Sequence, residues 1–225
     1  SKAGNIQLDE TNAITLANVT AYDGSITVNA AGKLIATTVT TNNPATGSNH
    51  ITLKTTNDDL AVKTVNAGSQ NNVTLTATTG SITEDGTNAV EVYADLLTAT
   101  AAGPITLDTN VSSANISTTG DGAIGIDEAD SITLDSVTAH NGRVTITAGG
   151  LLTATSVTST TDADQNDITL TTSAGGIQLG SLNAGSLGDV QLNSALVVTD
   201  DSNDATVVTA DVLEITARGA VSAKT

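Results

Sequence analysis

The chain is written nearly twice. Ile14-Thr-Leu-Ala-Asn-Val-Thr-Ala-Tyr-Asp-Gly-Ser-Ile-Thr-Val28 returns as Ile132-Thr-Leu-Asp-Ser-Val-Thr-Ala-His-Asn-Gly-Arg-Val-Thr-Ile146, an offset of 118 (132 − 14). After one deletion the offset is 117 (182 − 65), where Val65-Asn-Ala-Gly68 matches Leu182-Asn-Ala-Gly185. After a second it is 116 (210 − 94), where Ala94-Asp-Leu-Leu-Thr-Ala-Thr-Ala-Ala-Gly103 matches Ala210-Asp-Val-Leu-Glu-Ile-Thr-Ala-Arg-Gly219. Repetition on this scale restricts the fold to an array of stacked units. It predicts one elongated segment over residues 1–225, built of two related long units, about 14–131 and 132–225.

A shorter word recurs inside the long unit: apolar, Thr or Gln, apolar. Ile6-Gln-Leu8, Ile26-Thr-Val28, Ile51-Thr-Leu53, Val73-Thr-Leu75, Ile105-Thr-Leu107, Ile168-Thr-Leu170 and Val190-Gln-Leu192 are examples. Period-two alternation in β-branched residues marks short strands with two apolar side chains on one side and the polar one on the other. Gly24, Gly103, Gly142 and Gly175 lie two residues before the first apolar position, and Asn12, Asn49, Asn71, Asp130 and Asn166 take that place elsewhere. These residue types tolerate left-handed backbone, so they are expected to be turns feeding strands. Short strands with tight corners, repeating every 20–25 residues or so, predict an all-β chain. The expected fold is a right-handed parallel β-helix (a β-solenoid) of about ten turns, the hand following the usual rule for parallel crossovers. Strands about 4.8 Å apart would then give a rod of ~50 Å.

The two aromatic residues are Tyr22 and Tyr93, and the chain holds no Phe, Trp, Met or Cys. A broad globular core draws on large aromatics, each burying ~150–250 Å². A slim interior filled by stacked Val, Ile, Leu and Ala does not need them. The net charge of −17 repels phosphate backbones, so nucleic acid is not an expected partner. No apolar run approaches the ~18 residues of a membrane span. Both ends of the chain fall inside the repeating pattern, without a capping helix. The chain is therefore expected to be a segment of a longer protein whose neighbouring solenoid turns continue it.

The words Gly-Ser-Ile-Thr-Val, Gly-Pro-Ile-Thr-Leu and Ala-Asp-x-Leu-x-x-Thr-Ala-x-Gly resemble the repeats of filamentous-haemagglutinin-type exoproteins. The resemblance covers nearly the whole chain as a pattern. It implies a secreted or cell-surface bacterial protein whose β-helix works as a shaft or adhesive surface. Its repeats bring no catalytic residues with them.

Candidate chemistry is sparse. His50 and His140 face Asp167 and Tyr22 in the other copy, so no histidine site is duplicated. With seven basic residues against 24 acidic ones, a cleft for an acidic polysaccharide is not expected, nor is enzymatic activity. Acid clusters offer oxygen ligands to calcium, which takes six to eight of them. The sharpest is Asp162, Asp164, Asn166 and Asp167, which opens like an EF-hand loop and then departs from it, with Asp167 where glycine is needed. Repeated Thr-x-Thr pairs would align hydroxyls in rows, as ice-binding surfaces do. The expected function is a non-enzymatic structural or adhesive shaft segment. The alternative is a ligand-binding solenoid for glycan, calcium or ice, and the next a polysaccharide-cleaving enzyme. Loops that differ between the two copies are the expected contact points for a glycan or protein receptor: Thr41, Asn42, Asn43, Asn49 and His50, and the counterpart around 159–166.

Overall fold

The structure, a computed structural model, describes residues 4–42, 48–84, 89–202 and 207–222. Asn43, one of the expected loop contacts, falls outside them. The described residues contain strands, turns and no helix. Every strand pairing among them is parallel, and the strands stack as a β-solenoid of about nine turns. The chain divides into two compact units, Ser1–Ser112 and Ser113–Thr225. These spatial units part at 112/113, whereas the sequence units part at 131/132. A continuous repeat can be cut at any phase, and Ile124-Gly-Ile-Asp-Glu128 already repeats Ile6-Gln-Leu-Asp-Glu10 at the 118 offset (124 − 6).

In the first unit the recurring word builds one ladder from Ile6–Glu10, Ile26–Ala30, Ile51–Thr55, Val73–Ala77 and the end of Val92–Ala101. Successive turns take 20, 25, 22 and 24 residues (26 − 6, 51 − 26, 73 − 51, 97 − 73). Ile14–Leu16, Leu34–Ala36, Leu60–Val62, Ile82–Thr83 and the start of Ile105–Thr118 form a second ladder. Val19–Ala21, Val39–Thr41, Val65–Asn66 and the start of Val92–Ala101 form a third. The second unit repeats the plan. Ile124–Glu128, Val144–Ala148, Ile168–Thr172, Val190–Ser194 and Leu213–Ala217 make its first ladder. Longer strands such as Ile132–Ala139, Leu152–Ser159 and Ile177–Asn183 run through its other two.

The register places like on like. Ile26, Ile51, Val73 and Leu97 form one internal column, and Val28, Leu53, Leu75 and Ala99 the next, all with no exposed surface. The polar member of each word faces outward, as Thr27, Thr52, Thr74 and Thr98 do. Stacked parallel strands bring identical positions within ~4.8 Å, so matched shapes fill each column without voids.

The corners correct one expectation. Among the described residues the sole non-glycine with positive φ is Ser202. Asn12, Asn49, Asn71, Asp130 and Asn166 therefore do not occupy these corners for left-handed backbone. Buried Asn71 accepts a hydrogen bond from the Asn49 N–H through Oδ1 (2.8 Å) and donates through Nδ2 to the Ala67 carbonyl (2.9 Å). Asn166 Nδ2 donates to the Thr161 carbonyl and to Asn141 Oδ1, both at 2.9 Å. The amides satisfy backbone groups that the turning chain takes away from water. Gly175 answers a different need, since a Cβ there would collide with the Gly150 carbonyl of the preceding turn.

Replacing Leu75 by Ala should cost ~2–5 kcal/mol in urea unfolding, while Thr74→Val, one residue away and facing outward, should change stability by less than ~0.5 kcal/mol. Equal effects would contradict the alternation of inside and outside.

Candidate functional site

The residues singled out as loop contacts divide by burial. Asn42 is exposed, and its N–H donates to the Ala21 carbonyl (2.9 Å). Thr41 and Asn49 are buried. Thr41 Oγ1 donates toward the Asn49 and Ala67 carbonyls (3.2 and 3.3 Å). Asn49 Nδ2 reaches Asp23 Oδ1 (3.5 Å). These two side chains hold the base of the loop rather than presenting themselves on it.

His50 belongs to a device that recurs along the first ladder of both units. Asn5, Ser25, His50 and Asn72 each sit immediately before a word. Asn5 Oδ1 accepts from the Ser25 N–H (2.9 Å), Ser25 Oγ from the His50 N–H (3.2 Å), and His50 Nδ1 from the Asn72 N–H (3.0 Å). In the second unit Asp167 Oδ1 accepts from the Asp189 N–H (2.9 Å), and Asp189 Oδ1 from the Val212 N–H (3.1 Å). His50 and Asp167 are equivalents at the 117 offset (167 − 50), as are Asn72 and Asp189 (189 − 72). An imidazole nitrogen in one copy and a carboxylate oxygen in the other accept the same backbone N–H one turn on. The requirement is an acceptor of suitable reach, so residue type is free to vary while the role persists. The sequence carries a signal for this, a polar residue directly ahead of most words, which reads as turn chemistry until the register is known.

The expected calcium ligands differ in their surroundings. Asp162 and Asp164 are exposed, Asn166 is buried and Asp167 is half-buried in the capping ladder. Asp162 Oδ2 accepts from Ser186 Oγ (2.7 Å) and Oδ1 from the Leu187 N–H (2.8 Å). The Ser186 hydroxyl, then the Leu187 N–H, hold the Asp162 carboxyl below its usual range. This part of the loop is fastened to the next turn by a charge-assisted contact.

A different set of carboxylates converges where sequence spacing gave no hint. Glu84, Glu91 and Asp108 bring ligand oxygens within 4.8 Å of one another. Glu91 is fully buried, and its Oε2 accepts the Asp108 N–H (2.9 Å). Ile82 pairs with Ile105 one turn on (105 − 82 = 23), which brings the stretch after Ile82, with Glu84, alongside the stretch that holds Asp108. Three such oxygens match the hard-donor chemistry of a calcium or magnesium ion in kind, though not in the six to eight ligands calcium takes.

Two surface features bear on other ligands. Thr27, Thr52, Thr74 and Thr98 are in register on four consecutive turns, but their outward neighbours are Asn29, Lys54, Thr76 and Thr100. Paired hydroxyls thus align on two turns of this unit. In the second unit a shallow pit of about 170 Å³ is lined by Asp167, Thr169, Asp189, Gln191 and Glu214, with Val190 and Val212. No lysine or arginine lines it, which makes it a poor holder for a uronate. His140 is exposed, and its backbone carbonyl accepts from Thr160 Oγ1 and Thr161 Oγ1 (2.8 and 2.6 Å).

Fold and corner chemistry together define a parallel β-solenoid repeat protein. No family model, curated protein or solved structure matches the chain. No helix among the described residues is long and apolar enough to cross a membrane.

Two outcomes test these assignments. His50→Asp, which copies the other unit, should leave the unfolding free energy nearly unchanged, while His50→Ala should lower it by ~1–3 kcal/mol by leaving the Asn72 N–H without its acceptor. For Asp162, a depressed folded-state pKa means its contribution is complete above the ordinary aspartate range and lost as pH falls through the folded value. The stability gap between the wild type and Asp162→Asn should be constant above about pH 5 and shrink below about pH 4. A gap that widens on acidification would contradict the assigned contacts.

Proposed function

We propose that the chain is a non-enzymatic structural segment, a shaft or adhesive stalk of a large secreted or cell-surface bacterial protein of the filamentous-haemagglutinin type. One observation carries this reading. The polar residues that looked most like chemistry, Thr41, Asn49, His50 and Asp167, are engaged in joining one turn to the next. The inside is apolar, the corners are hydrogen-bonded, and what differs between copies lies in loops. A scaffold of that kind holds distance and presents loops to a glycan or protein receptor. The acidic surface serves solubility of a long β surface.

A chain held by its two ends and stretched should yield in steps, each releasing about one turn of 20–25 residues, because each turn contacts only its neighbours. Release of the whole chain in one event would contradict a load-bearing stack of turns. Removing residues 43–47 while keeping Thr41 and Asn49 should leave the β circular dichroism intact, since the buried ends of that loop stay in place.

The second reading, a ligand-binding solenoid, is favoured for a cation by Glu84, Glu91 and Asp108. It requires a melting temperature that rises with added calcium in the wild type and does not rise in Asp108→Asn. A melting temperature indifferent to calcium retires it.

A further inference from the structure

One corner of the second unit is closed by a glycine that the stack cannot replace. A Cβ at Gly142 would collide with the Gly122 carbonyl one turn below. The first unit makes the same demand at Gly24, whose Cβ would meet the Gly4 carbonyl (2.5 Å). The residue before the glycine is free to vary. It is Asp23 in one copy and Asn141 in the other (141 − 23 = 118). Asn141-Gly142 is the one Asn-Gly step in the chain.

An asparagine followed by glycine is open to attack from within its own backbone. The next nitrogen is the nucleophile, held one residue away, and no side chain shields it. Asn141 and Gly142 are half-buried, and the Gly142 N–H has no acceptor among the described residues. The Asn141 amide is polarised at both ends. Asn166 Nδ2 donates to its Oδ1 (2.9 Å), the atom on which negative charge develops when the carbon is attacked. Asn141 Nδ2 donates to Asp121 Oδ1 (2.9 Å), which puts a carboxylate beside the nitrogen that must leave. All of these residues belong to the second unit.

We propose that Asn141 is a site of self-modification, deamidating through a cyclic imide. The Gly142 nitrogen bonds to Asn141 Cγ and gives up its proton, and the side-chain nitrogen departs as ammonia. Water then opens the ring. Cleavage of the new Cγ–N bond leaves aspartate. Cleavage of the original peptide bond leaves the isomeric linkage, in which the main chain runs through the former side chain and gains a carbon. Either product carries a carboxylate where an amide stood. The first unit already has that carboxylate, and Asn49 Nδ2 reaches Asp23 Oδ1 (3.5 Å) as its equivalent Asn166 Nδ2 meets Asn141. The asparagine above therefore suits either form. The residue below does not: Asp121 stands where the first copy has Ala3 (121 − 3 = 118). Deamidation sets two carboxylates against each other where an amide had donated to one. The isomeric linkage adds its carbon at a corner without room for a Cβ. This inference concerns one corner and does not rest on the shaft reading.

Peptide mapping by mass spectrometry of the folded 225-residue protein, aged in mildly alkaline buffer, tests it. Asn141 should gain about 1 Da before any other asparagine does, while β circular dichroism is retained. Asn141→Asp, which supplies one of the two products, should melt roughly 2–4 °C below the wild type. That loss should shrink when Asn141→Asp is made in an Asp121→Ser background, where the opposing charge is gone. Three results would overturn the proposal: another asparagine that converts ahead of Asn141, an Asn141→Asp variant that melts with the wild type, or a loss that Asp121→Ser leaves intact.

Discussion

Parallel register is the constraint on which everything else rests. Each strand meets the same word one turn above and below, and alternation has period two. A slip of one residue would send a whole column of isoleucine, leucine and valine outward and threonine inward. The apolar columns and the backbone ladders therefore specify the same arrangement. Neither is strong alone, because parallel pairing is slightly weaker per residue than antiparallel and buries both its ends in corners. Together they leave one alignment in which the interior is dry and the ladders complete.

The corners follow from that constraint. A chain that turns three times per coil takes backbone N–H groups out of the ladder and away from water, and each needs an acceptor. Asn5, Ser25, His50, Asp167 and Asp189 supply them from one turn to the next. Asn49, Asn71 and Asn166 do related work from buried positions. Residue identity is loose in the first group, where a rim position tolerates any acceptor of the right length. In the second, Asn49 and Asn166 are equivalents at the 117 offset (166 − 49), while the counterpart of Asn71 is Gly188 (188 − 71).

Much of the fold was legible in the sequence, for a physical reason. The Ile-Thr-Leu word reports which side of a strand is inside, and its return every 20–25 residues reports the coil. Ile26, Ile51 and Val73 could be aligned by eye and do stack, whereas Leu97, which none of the recurring words marked, completes their column. The candidate site was legible only in part. Thr41 and Asn49 looked like loop residues because hydrogen bonding to carbonyls and burial of a small polar side chain leave no periodic trace. Asp162 and Asp167 accept backbone N–H groups, a use of a carboxylate that has the same spelling in sequence as cation binding. Glu84, Glu91 and Asp108 were not grouped at all, since their convergence depends on the lengths of the intervening corners.

The central claim is that outward residues of successive words lie one strand spacing apart in a single straight row. Spin labels at Thr27 and Thr98, three pairings apart in the first unit, test it most directly. Three steps of ~4.8 Å place the two backbones ~14–15 Å apart, and a narrow dipolar distribution near that distance is the expected result. A distance beyond ~30 Å, or a broad distribution without a maximum, would contradict the stacked parallel register.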